Sequence, residues 1–224
     1  MINFEPFEIS RKELSKCPCY ELYSLKNQRN VKIYSQQCYY QALLLELNDK
    51  VQSYCERPCK IVVPSSNILK TRTIDFIVEY TNSNRLEMQR ITYNGYNEIP
   101  YTLKKSFKEE EDWCELHGYK YNLITCDKYL TKSYYFQNIK YLYGLIRRIN
   151  SPLYNKYINT LIATLQIRQI VTISEFMNEN HLTAYEALLT VSLGISNGTL
   201  SLCLESEIVN TNMEVKLSRN ESCI

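Results

Sequence analysis

The chain has 224 residues, 45% of them apolar and 22% charged, which allows a buried core and excludes a disordered, collagen-like or coiled-coil protein as a global description. Lys and Arg number 26 against 24 Asp and Glu; a division near residue 132 leaves 19 basic and 17 acidic residues before it and 7 of each after it. That balance excludes a protein that grips nucleic acid by net charge alone, so a nucleic-acid role needs a local patch or a partner.

The opening MINFEPFEISRKE has no apolar stretch of the kind that drives secretion, and no run approaches the roughly 18 apolar residues of a membrane span. The expectation is a cytoplasmic protein without a membrane partner. Residues 1–30 read as polar and irregular. Tyr40, Leu43, Leu44 and Leu47 then recur at i, i+3, i+4, i+7, which predicts a helix closed by Asn48-Asp49. Short strand-like runs follow at 51–55 and 60–63, punctuated by Pro58 and Pro64. Two longer runs, 74–80 and 85–93, flank the polar tetrapeptide Thr81-Asn82-Ser83-Asn84 and predict a hairpin. An acidic amphipathic helix over 107–117 is stopped by Gly118, and KYNLIT at 120–125 is a further strand. No Gly-rich phosphate loop occurs.

After about residue 132 the pattern turns helical. Tyr135, Ile139, Leu142, Tyr143 and Ile146 form one apolar face, and Ser151-Pro152 opens a helix running to about Arg168. Thr172-x-x-Glu175 and Thr183-x-x-Glu186 are two capping boxes. Asn197-Gly198 turns the chain into a strand at 199–204, with a return strand at 213–217. Helices followed by a two-stranded wing predict a winged-helix-like module over 133–224, after a mixed α/β (α+β) domain over 1–132.

Nine cysteines without a secretory context do not form a disulfide framework. Cys17-Pro18-Cys19 and Cys55-x-x-x-Cys59 could be drawn as a four-thiolate zinc site, but CxC and CxxxC are not the usual knuckle spacings. Separate reduced thiols are the better reading. The sharpest site candidate is Asp75 at the start of one strand with Glu87 and Gln89 on the next, because alternation would place acids of neighbouring strands on one face. Carboxylates so arranged suit a divalent cation.

The chain resembles the TnsA family, the endonuclease subunit of heteromeric bacterial transposases. The resemblance rests on SLKNQR at 24–29, Val31, Ser35, Leu45-Glu46, Val51, Tyr54, Pro58-Cys59-Lys60-Ile61 and Asp75-Phe76. It continues through Trp113, Gly118, Leu123-Ile124-Thr125, Asn138, Leu142, Arg147 and the tail 173–204. It implies a restriction-endonuclease-like N-terminal domain whose site combines a helical acid, a second acid and an (E/Q)xK pair. Asp75 matches the second acid and Glu87 the first member of the pair. Gln89 stands at the Lys position and Cys38 at the helical acid. A shifted register offers Gln41, and Glu46 lies about 80° around the helix from Cys38. Arg90 is expected to point to the opposite face, while Lys60 and Lys70 are candidate migrated cations.

Loss of the ammonium and of one anionic ligand predicts a vestigial centre with no cofactor. By the resemblance, the chain belongs to a bacterial DNA transposition complex. It would act in assembly or in positioning transposon-end DNA with a DDE-type transposase and an AAA+ ATPase. Two alternatives stay open: an active endonuclease that holds Mg²⁺ through Asp75 and Glu87, and a generic winged-helix interaction protein.

Overall fold

A computed structural model describes residues 4–9, 15, 17–65, 68–125, 134–148 and 153–218. It is a mixed α+β architecture of eleven strands and six α-helices among those residues. The chain divides into two compact units, Met1–Leu45 with Lys50–Thr131, and Glu46–Asp49 with Lys132–Ile224. No helix among the described residues is long and apolar enough to cross a membrane.

In the first unit, β1 (Cys19–Ser24) and β2 (Arg29–Tyr34) form an antiparallel hairpin. Residues 19–30 are therefore not irregular. Alternation buries Leu22, Val31 and Ile33 while Glu21, Asn30 and Lys32 are exposed. Helix α1 (Gln36–Leu47) follows, its Cys38 N–H donating to Ser35 Oγ at 3.2 Å.

Then come β3 (Val51–Glu56), the antiparallel pair β4 (Lys60–Ser65) and β5 (Ile68–Thr73), β6 (Phe76–Tyr80) and β7 (Glu87–Thr92). Strand β5 lacked any sequence signal, since Ile68, Leu69 and Lys70 all lie exposed and no apolar alternation marks it. A 3-10 turn (Tyr96–Glu98) and Pro100 lead into α2 (Tyr101–Leu116), which begins six residues before its expected start. It stops at Gly118, whose φ of +82° only glycine adopts without strain. Strand β8 (Lys120–Thr125) completes a four-stranded sheet in the order β3-β6-β7-β8. β8 runs parallel to β7, a pairing that needs a crossover, here α2. Cys55, Ile61, Ile74, Ile77, Met88 and Cys114 form a buried cluster that joins strands to α2.

The second unit contains α3 (Tyr135–Ile146), α4 (Leu153–Arg168), β9 (Ile170–Thr172), α5 (Ile173–Glu179), α6 (Ala184–Ser196), β10 (Leu200–Leu202) and β11 (Glu214–Leu217). Both capping boxes form, with the Thr172 and Thr183 side chains accepting from the Glu175 and Glu186 N–H groups. The expected Ser151-Pro152 cap lies outside the described residues. The sheet of this unit has three strands, β10-β11-β9, where two were expected: the three-residue β9 is too short to carry a periodic signal. Gly198 combines a φ of +68° with close approach, since a Cβ there would lie 2.5 Å from Asp49 Oδ2.

Candidate functional site

The register of the first unit decides which side chains meet. Val78 pairs with Glu87 and Phe76 with Gln89, so these four share one face of the sheet. On that face Gln41, from α1, donates its Nε2 to Gln89 Oε1 at 2.9 Å. Gln89 Nε2 in turn donates to Glu87 Oε1 at 2.9 Å, and Asn122 Nδ2 and the Tyr80 hydroxyl reach the same oxygen at 2.9 and 3.1 Å. Lys120 Nζ lies 2.7 Å from Glu87 Oε2. Glu87 is only 2% exposed, and four protein donors reach its two oxygens, three at Oε1 and Lys120 at Oε2. Burial pushes its carboxyl up, and the hydrogen bonds from Lys120, Asn122 and Gln89 outweigh that, holding it below the ordinary range.

Asp75 belongs to a different network. It lies one residue before β6, out of step with Phe76, and its Oδ2 accepts from the Ile91 N–H at 2.8 Å and from Arg90 Nη1 at 3.2 Å. The Arg90 guanidinium also faces Glu110 of α2, with Nε 3.7 Å from Oε2, and Tyr121 donates its hydroxyl to that same oxygen at 2.9 Å. Arg72 approaches the other Glu110 oxygen at 3.9 Å. Burial raises both the Asp75 and the Glu110 carboxyl despite the attraction of Arg90.

Two expectations are thereby corrected. Asp75 and Glu87 do not join one constellation, because the hairpin register puts Phe76, not Asp75, opposite Gln89. Arg90 does alternate away from Gln89, but that direction leads to Asp75 instead of away from it. The ammonium beside Glu87 belongs to Lys120 and not to Lys60 or Lys70. Lys60 lies over the Phe7 ring at 4.9 Å, and Lys70 is exposed. Glu46 is buried near the end of α1. No spacing rule could have named Lys120 or Asn122, since both reach Glu87 through a parallel pairing across more than thirty residues.

Cys38 and Asp75 do come together, as walls of a cavity of about 180 Å³. Lys32 and Tyr34 of β2, Glu56 of β3, Arg57, and Thr73 of β5 complete its polar lining. Glu56 accepts from both terminal nitrogens of Arg29, the Nη1 contact being 2.7 Å. Arg57 has a left-handed φ of +45°, and its N–H donates to the Asp75 carbonyl at 2.8 Å.

This donor set does not fit Mg²⁺, which requires near-octahedral oxygen ligation through carboxylates with lone pairs to spare. Glu87 already takes four protein donors, and Asp75 Oδ2 is engaged by a guanidinium and a backbone N–H. Glu56, in the same cavity as Asp75, is held by Arg29, and the side chains Gln89, Asn122 and Cys38 beside these acids are amides and a thiol. Among the described residues no group of three or more His, Cys, Asp or Glu side chains is placed to share a metal ion, including the cysteines drawn as a zinc site. Cys55 is a buried thiol pushed up to about 12, mainly by desolvation. No model of a known protein family matches the chain, and no curated protein matches it.

Proposed function

We propose that the chain is a TnsA-like subunit of a DNA transposition complex in which the restriction-endonuclease-like centre no longer performs hydrolysis. It acts in assembly or in positioning transposon ends, beside a DDE-type transposase and an AAA+ ATPase. One observation carries this reading: the carboxylate at the family's (E/Q)xK position is held by four protein donors, Gln89, Asn122 and Tyr80 at Oε1 and Lys120 at Oε2. A carboxylate that must bind a cation keeps lone pairs open; one held by four protein donors is part of the scaffold.

The sheet with α1 hydrogen-bonded to it through Gln41 is compatible with a nuclease-derived domain. For the C-terminal unit we infer a winged-helix-like module that meets protein. Helix α6, the one such a module would place in a DNA groove, contains no Lys or Arg. That composition favours a partner surface, and the ATPase is the partner we assign to it.

Strand-specific mapping of cleavage in a reconstituted transposition reaction tests the proposal. Products should require the chain yet persist when Asp75→Ala replaces it. Mg²⁺-dependent nicking of transposon-end DNA by the purified chain, abolished by Asp75→Ala, would overturn the reading in favour of an active endonuclease. Failure to bind either the transposase or the ATPase would leave only a generic interaction protein.

A further inference from the structure

We propose that the cavity between β2, the first turn of α1 and Arg57 binds the phosphate group of a ligand directly through Arg57 and Lys32, without a metal. The charges around the cavity lead there. Four charged side chains of both signs line it: Lys32, Glu56, Arg57 and Asp75. Each acid already has an arginine partner, Arg29 at Glu56 and Arg90, shared with Glu110, at Asp75. Neither Lys32 nor Arg57 has an ion pair within 4.0 Å among the described residues. The acids near them include Glu21, cross-strand from Lys32, and Asp75, which feels the Arg57 charge, so both cations can still take an anion in the cavity.

Arg57 is also held in place before any ligand arrives. Its N–H donates to the Asp75 carbonyl and its carbonyl accepts from the Phe7 N–H at 3.2 Å. Its guanidinium lies over the Phe7 ring at 4.4 Å and near the Tyr34 ring at 5.5 Å. Stacking on aromatic faces leaves the in-plane N–H groups free, and a planar fork of donors matches the oxygens of a phosphate. The Nε of Arg57 is buried without any acceptor. A buried donor left unmade is costly, and an oxygen arriving in the cavity would relieve it. The twelve-residue helix α1 adds its positive end, with Cys38 of its first turn in the wall and no acid in that turn. A doubly charged tetrahedral anion matches two cations and a helix terminus better than a single carboxylate does.

The inference deepens the proposed function, in which a nuclease-derived pocket outlives its metal, but its test needs neither transposase nor ATPase. Calorimetric titration of the full chain with inorganic phosphate, in EDTA and against chloride at matched ionic strength, should give saturable one-to-one binding. Arg57→Gln and Lys32→Gln should each weaken it by about tenfold or more, the loss of one charge-assisted contact. If Arg57→Gln fails to fold, Arg57→Lys keeps the charge, loses the fork, and should still weaken binding. Absence of saturable phosphate binding, wild-type affinity in the variants, or loss of binding in EDTA would each overturn the proposal. Competition by duplex DNA would assign the phosphate to a nucleic-acid backbone. Phosphate binding undisturbed by DNA but displaced by a nucleoside monophosphate would assign it to a small phosphate ester, and the site would stand in both cases. A chain that binds phosphate yet ignores both transposition partners would sink the proposed function and leave this site intact.

Discussion

Each unit has its own internal polar contacts, and these differ in reach. In the first, buried or half-buried side chains meet across long separations: Gln41 with Gln89 over 48 residues, Asn122 with Glu87 over 35, Arg29 with Glu56 over 27. In the second, most are local. The capping boxes close over three residues, and Thr160, Thr164, Thr190 and Ser192 each donate to the carbonyl four residues earlier. The second unit relies for long-range order on an apolar cluster that includes Leu161, Leu165, Ile173, Phe176 and Leu189. The difference teaches where each unit is vulnerable. A local contact can be lost with little consequence elsewhere, whereas a polar network assembled from four elements fails together.

The sharpest way to break this comparison is Glu87→Ala. It removes the acceptor for Gln89, Asn122, Tyr80 and Lys120 at once and leaves buried donors orphaned. The expected cost is about 3 kcal/mol, moderated because Lys120 can turn to water. Urea unfolding followed by fluorescence of Trp113, the single tryptophan, reads the first unit, because that ring packs against its buried cluster. An effect below about 0.5 kcal/mol would mean that the network contributes specificity and no stability.

Asn138 departs from the local pattern of the second unit and therefore sharpens the contrast. Its Nδ2 donates to the Leu204 and Glu207 carbonyls at 2.9 and 2.7 Å, and its Oδ1 accepts from the Val209 N–H at 2.9 Å. The three bonds tie α3 to the segment between β10 and β11. Asn138→Ala should cost about 2 kcal/mol, measured by thermal or urea unfolding with far-UV dichroism. Thr183→Ala, by contrast, deletes only one cap on α6 and should cost about 1 kcal/mol in the same measurement. If the two losses were equal, reach would not be what sets vulnerability here.

The same contrast decides what could be read from the sequence. Both capping boxes, the stop at Gly118 and the apolar face of α3 depend on residues within a turn of one another, and they were legible. Strands β1 and β2 were not, because CYELYS and RNVKIY place tyrosines and charges between few aliphatic residues. The candidate residues could be named from the sequence, but their grouping could not. Asp75, Glu87, Gln89 and Cys38 could be named from the resemblance, and Cys38 does meet Asp75 in one cavity. Whether Asp75 faces Glu87 depends on a hairpin register, and a slip of one residue exchanges the faces. Arg57 had no sequence signal at all; its place follows from a left-handed φ and the aromatic rings of Phe7 and Tyr34.

Within the first unit the comparison can be carried to two buried carboxyls on opposite faces of one sheet, with the smallest effect and the cleanest sign. Glu87 is held below the ordinary value of 4.5, where donors outweigh burial, and Glu110 is raised above it, where burial prevails. For Glu87 the unfolded chain binds the proton more readily, so its contribution to stability is present above 4.5 and is lost as pH falls through the folded value. For Glu110 the folded chain binds the proton more readily, so its contribution is favourable below 4.5 and is lost as pH rises through the folded value. Glu87→Gln and Glu110→Gln keep shape and remove titration. The destabilisation by Glu87→Gln should therefore grow as pH rises from acid toward 4.5 and then level off. That by Glu110→Gln should shrink as pH rises past 4.5. Unfolding free energies of the two variants, each referenced to the parent chain across that range, should diverge with opposite slopes. Parallel slopes would mean that burial, and not the number of donors aimed at each carboxyl, governs both faces.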